Sequence, residues 1–156
     1  MPSALGLRTA TAEDEAFLRA VYASTRAEEL AVVAWDAATK DAFLRLQFEA
    51  QDSYYRQHFP AATFDVVTVN GVPAGRLYVD RRDTEVRVID IALLPEHRGN
   101  GFGTALLREV LAEGKRVTIH VERMNPALRL YERLGFEVAE DKGVYLLLER
   151  QVNTAS

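Results

Sequence analysis

At 156 residues with 48 % apolar side chains, the chain is the size of one domain, able to bury about two-thirds of its unfolded surface. Its net charge of −4, with acids and bases mixed along the chain, excludes a general nucleic-acid binder, and no apolar run approaches the ~20 residues of a membrane span. There is no cysteine for a disulfide or a thiol nucleophile, and M-P-S-A-L-G at the start lacks the basic and apolar regions of a signal peptide, so the expected compartment is the cytoplasm.

Leu5 to Arg8 has apolar residues at alternate positions and reads as a first strand. Thr11 ahead of Ala12, Glu13 and Asp14 is an N-cap with acids in the first turn. Phe17, Leu18, Val21 and Tyr22 follow at helical spacing, which predicts a helix from Ala12 to about Leu30. Ala31 to Lys40 has no clear period and reads as a link. Asp41 to Phe59 is the second helix, ended by Pro60, with Leu44, Phe48, Gln51, Tyr55 and Phe59 on one stripe and Tyr54 and His58 beside it. That stripe has two readings. It is an aromatic core face, or Trp35, Gln51, Tyr54 and Tyr55, joined by Tyr78 from a later strand, wall a substrate pocket.

Thr63 to Val69 and Val72 to Asp80 flank Asn70-Gly71, a strong hairpin signal because both residues tolerate positive φ. Arg81-Arg82-Asp83 turns the chain into Val86 to Leu93, which is nearly apolar on both faces, as a strand inside a sheet should be. Pro95 stops it. A third helix spans Gly101 to Glu113, with Leu106, Leu107, Val110 and Leu111 inward and Gly114 as its C-cap. Because that connection is helical, Val117 to Val121 should run parallel to the central strand. Asn125 caps a fourth helix, Pro126 takes its first turn and Gly135 closes it. Phe136 to Ala139 and Val144 to Glu149 pair across Asp141-Lys142-Gly143.

A strand, a glycine-rich turn and a helix N-terminus in series make a candidate anion site. Glycine allows positive φ and close approach, so successive N–H groups can point at one phosphate, and the helix dipole adds positive charge. The spacing here, Arg98-x-x-Gly101-x-Gly103, fits neither the Walker loop nor G-x-G-x-x-G. A glycine-rich turn without a ligand is the other reading of the same stretch.

R-G-N-G-F-G, from Arg98 to Gly103, resembles the R/Q-x-x-G-x-G/A signature of the GCN5-related N-acetyltransferases (GNAT). N-P-A-L-R-L-Y-E-R-L-G-F, Asn125 to Phe136, is similar to that family's second landmark, and the two occur in order, separated by a helix and a strand. The resemblance implies a single N-acetyltransferase domain over 1–156 with an α/β (α+β) fold. Its sheet would be mixed and mostly antiparallel, of six or seven strands, with about four helices and two splayed parallel central strands. It also implies acetyl-CoA as cofactor. Its pantetheine arm would pair with backbone groups around Ile91, Ala92 and Leu93. Its pyrophosphate would sit on N–H groups of Arg98, Gly99, Asn100, Gly101, Phe102, Gly103 and Thr104, with the Arg98 side chain adding a charge-assisted bond. Tyr131 matches the family's general-acid tyrosine, the alternative being a core aromatic. Asn125 either bonds cofactor or substrate or caps its helix.

Acetyl transfer to an amine needs a polarised thioester carbonyl, an unprotonated amine and a protonated leaving thiolate. An amide N–H of the central strand can meet the first need and Tyr131 the third. A lysine-like amine has a pKa of about 10.4, so something must accept its proton. Asp90 is the single acid within an apolar strand; it is either a base or the partner of Arg87 or Arg76. Glu122 and Glu85 are weaker candidates, His97 and His120 are more often simply satisfied, and a water chain is the remaining option. Three scattered histidines without cysteine suggest no metal site. With no cysteine to carry the acetyl group, the amine should attack directly in a ternary complex. The expected acceptor is a small-molecule amine. A peptide acceptor and a non-catalytic acyl-CoA-binding module are the rivals. No nucleic acid or membrane is expected as partner, and a homodimer is the default among oligomers.

Overall fold

Asn70 and Gly71 both sit at positive φ, 53° and 79°, and close the chain into the expected tight hairpin. It joins β2 (Thr63–Val69) to β3 (Val72–Arg81), and a second turn leads from β3 into β4 (Glu85–Leu93). The computed structural model describes residues 4–152, so the first three residues of M-P-S-A-L-G and the last four of the expected domain lie outside the described residues. Around this meander lie β1 (Leu5–Thr9), α1 (Glu15–Ala31), α2 (Ala37–His58), α3 (Phe102–Leu111), β5 (Arg116–Glu122), α4 (Leu128–Arg133), β6 (Glu137–Asp141) and β7 (Tyr145–Arg150). The strands form one seven-stranded sheet in the order β1-β2-β3-β4-β5-β7-β6. Every neighbouring pair is antiparallel except β4 and β5.

Several element ends differ from the sequence pattern, each for a local reason. Thr11 opens a short 3-10 turn, Ala12–Asp14, before α1 begins at Glu15. There the Asp14 carboxylate accepts the Thr11 N–H at 2.8 Å and two further bonds from Arg8. The second helix begins at Ala37 rather than Asp41, because Asp36 Oδ1 accepts the Thr39 N–H at 2.8 Å as a true N-cap. The expected cap at Asn125 is corrected. Its Oδ1 accepts the Ala127 N–H at 2.8 Å, which builds a turn holding Asn125 and Pro126 ahead of a helix that begins only at Leu128.

Alternation along the strands sorts the core onto two faces. Val86 and Val88 of β4 and Val117, Ile119 and Val121 of β5 pack with Leu106, Leu107 and Val110 of α3, and with Tyr131 and Phe136. On the other face Leu18 and Tyr22 of α1 meet Phe48 of α2 and Val66 of β2.

Two irregularities of β4 position everything that follows. Its parallel ladder to β5 runs from Glu85↔Arg116 to Val88↔Ile119 and ends, although β4 continues to Leu93 and β5 to Glu122. On its other side, Tyr78 pairs with Asp90 but Val79 with Val88, so Ile89 is an extra, bulged residue. A bulge bends and twists the strand that holds it, and this one lies where the two parallel strands part. Beyond it Gly75 faces Leu93 across β3 and β4, where a Cβ would run into the Ala92 carbonyl oxygen and come within 3.0 Å of Leu93 Cα. Gly75→Ala should therefore destabilise the protein by roughly 1–3 kcal/mol through overpacking. Urea denaturation should give a lower midpoint at an unchanged slope; an unmoved midpoint would mean the sheet end absorbs the methyl group.

Candidate active site

Leu94 extends the β3–β4 ladder by one bond, its N–H to the Ala74 carbonyl at 2.8 Å, and Pro95–His97 then turns the chain out of the sheet. Gly99 and Gly101 follow at φ 78° and 79°, Gly101 serving as N-cap of α3. A Cβ at either would touch nothing within 4 Å, so glycine is required here for its backbone angle, with open space in front of it. The first bond of α3 runs from the Ala105 N–H to the Gly101 carbonyl at 3.0 Å. Among the described residues the N–H groups of Gly99, Asn100, Gly101, Phe102, Gly103 and Thr104 have no backbone partner. Six consecutive donors thus stand free at the positive end of a ten-residue helix. The Arg98 side chain turns away from them: Nε donates to the Leu93 carbonyl at 2.9 Å and Nη2 to Ser24 Oγ at 3.3 Å, tying the loop to the end of β4 and to α1.

Ile91, Ala92 and Leu93 pair with β3 on one side, opposite Leu77, Arg76 and Gly75, and on the other border the gap where β5 has left the ladder. Tyr131 enters from the α3 and α4 face. It is 4 % exposed, its ring lies against Phe136, and its hydroxyl makes no hydrogen bond among the described residues. Burial, reinforced by the charge of Asp90, pushes this hydroxyl up to about 12, so it holds its proton at neutral pH.

The opposite face is built on paired charges. Asp90 Oδ2 accepts from Arg76 Nη2 at 2.7 Å and from the Tyr55 hydroxyl at 3.0 Å, and Arg76 Nη2 also reaches Gln51 Oε1 at 2.9 Å. Of the two partners offered by the sequence, Arg76 is therefore the one used; Arg87 bonds Thr118 and His120 instead. Arg76 also lies 5.1 Å from the Tyr78 ring centre, and burial raises the Tyr55 and Tyr78 hydroxyls against ionisation. Glu122, the last residue of β5, meets Arg26 of α1 at 3.3 Å, and Arg26 also bonds Glu29 at 3.1 Å. Both Arg26 and Arg76 pack on the Tyr22 ring, 5.6 and 6.0 Å from its centre.

The structure thus brings Gln51, Tyr55, Tyr78 and Asp90 into one cluster. It leaves two expected pocket residues outside it: Tyr54 is 53 % exposed and stacks on His58, and Trp35 is 45 % exposed against Phe43. His120 keeps its ring between Arg87 and Lys142, and its pKa is lowered by burial first and those two cations second. Sequence reading placed Tyr22 on the inward stripe of α1, where it is buried, but missed its place beside Arg26 and Arg76 and missed Arg26 altogether. The signal for Arg26 was the four-residue spacing that puts it on the same face of α1 as Tyr22. A concavity of about 420 Å³ also opens on the β1 side of α2, lined by Ala10, Thr11, Leu18, Phe48, Glu49 and Asp52, and holds none of the expected site residues.

Residues 12–136 match the acetyltransferase (GNAT) family, and the chain belongs to it. Its class is that of the acetyl-CoA-dependent N-acetyltransferases. The fold is shared with several solved structures. A PaiA N-acetyltransferase from Thermoplasma acidophilum, in complex with coenzyme A, is 16 % identical over 95 % of this chain and 99 % of that one, with a TM-score of 0.70. YncA, a putative acetyltransferase from Salmonella typhimurium with acetyl-CoA, is 23 % identical over 98 % and 96 %, with a TM-score of 0.58. Naa50 from Arabidopsis thaliana, with the bisubstrate analogue CoA-Ac-MVNAL, is 16 % identical over 94 % and 98 %, with a TM-score of 0.61.

The Arg76–Asp90 pair makes a stability prediction of its own. Arg76 is 2 % exposed, and Arg76→Met would leave Asp90 in a mostly enclosed place with one neutral donor. Breaking a buried pair from one side costs about 3 kcal/mol or more. Chemical denaturation should show that loss; under about 1 kcal/mol would place the pair in the surface class.

Proposed function

We propose that the chain moves an acetyl group from acetyl-CoA to a primary amine by direct attack in a ternary complex, with a small molecule as acceptor. One feature carries this reading: the β4–β5 ladder stops at Val88 and Ile119, and the same strand leads into six free N–H groups at the start of α3. The released edge around Ile91, Ala92 and Leu93 suits an extended, amide-bearing arm, which would pair with it as an added strand does. The donors from Gly99 to Thr104 suit a pyrophosphate. Arg98 would join them on leaving Leu93 and Ser24. Asn125, its Oδ1 engaged by Ala127, would offer its amide N–H groups at the mouth of the gap.

Bound there, acetyl-CoA supplies an acetyl thioester. An N–H of the β4 edge would polarise its carbonyl. Tyr131 holds a proton at its hydroxyl and serves as the acid, since burial keeps it protonated across the physiological range. Asp90 and Glu122, read from sequence as candidate bases, are each engaged by an arginine. We therefore assign removal of the acceptor's proton to water in the gap. The polar cluster of Gln51, Tyr55 and Tyr78 would line the acceptor side. A peptide acceptor is the second reading, favoured by the exposed His120, Val144 and Tyr145 beside the gap.

Thiol release from acetyl-CoA would be followed against amino acids, polyamines, aminoglycosides and short peptides. Tyr131→Phe should lower turnover roughly 10- to 1,000-fold with cofactor affinity unchanged by calorimetry; full turnover would remove the acid assignment. Gly101→Val sets a β-branched residue at φ 79° and should weaken cofactor binding at least about tenfold. An unaltered dissociation constant would sink the phosphate-loop reading.

A further inference from the structure

We propose that Asp90 anchors the ammonium group of the acceptor, and that Arg76 and Tyr55 hold one of its oxygens so that the other faces the incoming amine. This rests on reading the β4–β5 gap as the acetyl-transfer site. It gives Asp90 a positioning and selecting role in place of a base's.

Asp90 keeps one carboxylate oxygen in reserve, which the bidentate fold-bracing pairs do not. Arg8 and Asp14 meet through two nitrogens and both oxygens, each at 2.8 Å, and Arg81 engages both oxygens of Glu113 at 2.9 and 3.0 Å. Such pairing spends both acceptors of the carboxylate. At Asp90 both donors, Arg76 Nη2 and the Tyr55 hydroxyl, converge on Oδ2, and Oδ1 has no partner among the described residues. Nor is Oδ1 shut away. The side-chain polar atoms that are both buried and unpartnered among those residues are Arg76 Nε and Tyr78 Oη, and the Asp90 side chain keeps 16 % of its surface while Arg76 keeps 2 %. The arginine is sealed behind; one carboxylate oxygen is left in front.

Its place in the sheet gives that oxygen a use. The bulge at Ile89 brings Asp90 opposite Tyr78, just past the last β4–β5 pair, so it borders the gap from the α1 and α2 face. Tyr131 borders it from the other face, close enough for the Asp90 charge to be felt at its hydroxyl. An amine held on Oδ1 therefore lies between the two faces, where the acetyl group would arrive. Proton uptake by Asp90 itself would strand a buried guanidinium without its counter-charge, whereas an ammonium on Oδ1 leaves that pair intact. Water in the gap takes the proton. An alcohol of the same shape brings no positive charge to the site, so the arrangement discriminates nitrogen from oxygen acceptors.

The test compares wild type, Asp90→Asn, Asp90→Glu and Tyr55→Phe. In saturating acetyl-CoA, Asp90→Asn should raise the amine KM about 10- to 100-fold, the value of a charge-assisted bond, with kcat within a few-fold and the pH profile of kcat unchanged in shape. A fall in kcat at constant KM, with loss of the acidic limb of the profile, would make Asp90 the base. Unaltered KM and kcat would make it structural. Asp90→Glu keeps the charge and should recover part of the affinity. Tyr55→Phe keeps the carboxylate and its arginine, so it tests the same point if Asp90→Asn folds poorly: KM should rise a few-fold, and an unchanged KM counts against the device. Binding of benzylamine and benzyl alcohol to the coenzyme A complex supplies a readout free of turnover. Wild type should prefer the ammonium at least tenfold and Asp90→Asn should not; equal or absent binding of the two by wild type overturns the anchor. Failure of the acetyl-transfer reading looks different, because wild type would then take up no coenzyme A at all.

Discussion

Backbone hydrogen bonds must be made somewhere, and the site depends on where β4 stops making them. A strand paired on both sides has nothing to offer a ligand. Glu85 to Val88 are paired with β5, and Ile91 to Leu93 keep only β3. The bulge at Ile89 lies between the two stretches. It bends the strand, ends the parallel ladder and turns Asp90 toward the helices. Backbone edge, glycine loop and helix N-terminus then follow one another within twenty residues because they are one continuous piece of chain leaving the sheet. The free N–H groups at α3 repeat the theme, since the first turn of any helix leaves donors unbonded and here the glycines leave them uncovered.

Charge is handled by pairing across elements. Arg76 of β3 answers Asp90 of β4, and Arg26 of α1 answers Glu122 of β5, with both guanidiniums near the Tyr22 ring. This ladder explains how a face next to the gap can hold two acids and two arginines without a large net field. It also weighs unequally. The Arg26–Glu122 contact is longer and partly solvated, and it costs little to break. The Arg76–Asp90 contact is short and enclosed, so it sets the position of Asp90 whatever the acceptor does.

Much of this was legible in the residues. Asn70-Gly71 gave the hairpin because both residues tolerate positive φ, and Pro95, Gly99 and Gly101 marked where the central strand had to stop and a helix begin. The β-branched run from Val86 to Leu93 declared an inner strand, and a helical connection made its neighbour parallel. These features are local, and local sterics write them directly into the sequence. The two family motifs added the class of the protein, which the match over residues 12–136 bears out.

What the sequence left open needed contacts between residues far apart in the chain. Asn125 looked like a helix cap because cap and turn use the same side-chain oxygen; which one forms depends on how α4 docks on the core. Periodicity could set Tyr54 beside the stripe of α2 but could not say that it faces solvent on His58 while Tyr55 reaches Asp90 across thirty-five residues. That Asp90 meets an arginine at all depended on a one-residue bulge, which turns it onto the sheet face carrying both Arg76 and Arg87 and leaves no mark in composition. By itself the sequence determined the elements, their order and the glycine loop, since each follows from the conformational limits of neighbouring residues. Tertiary structure alone decided which charges meet and which oxygen of Asp90 stays open, because those depend on strand register and helix docking.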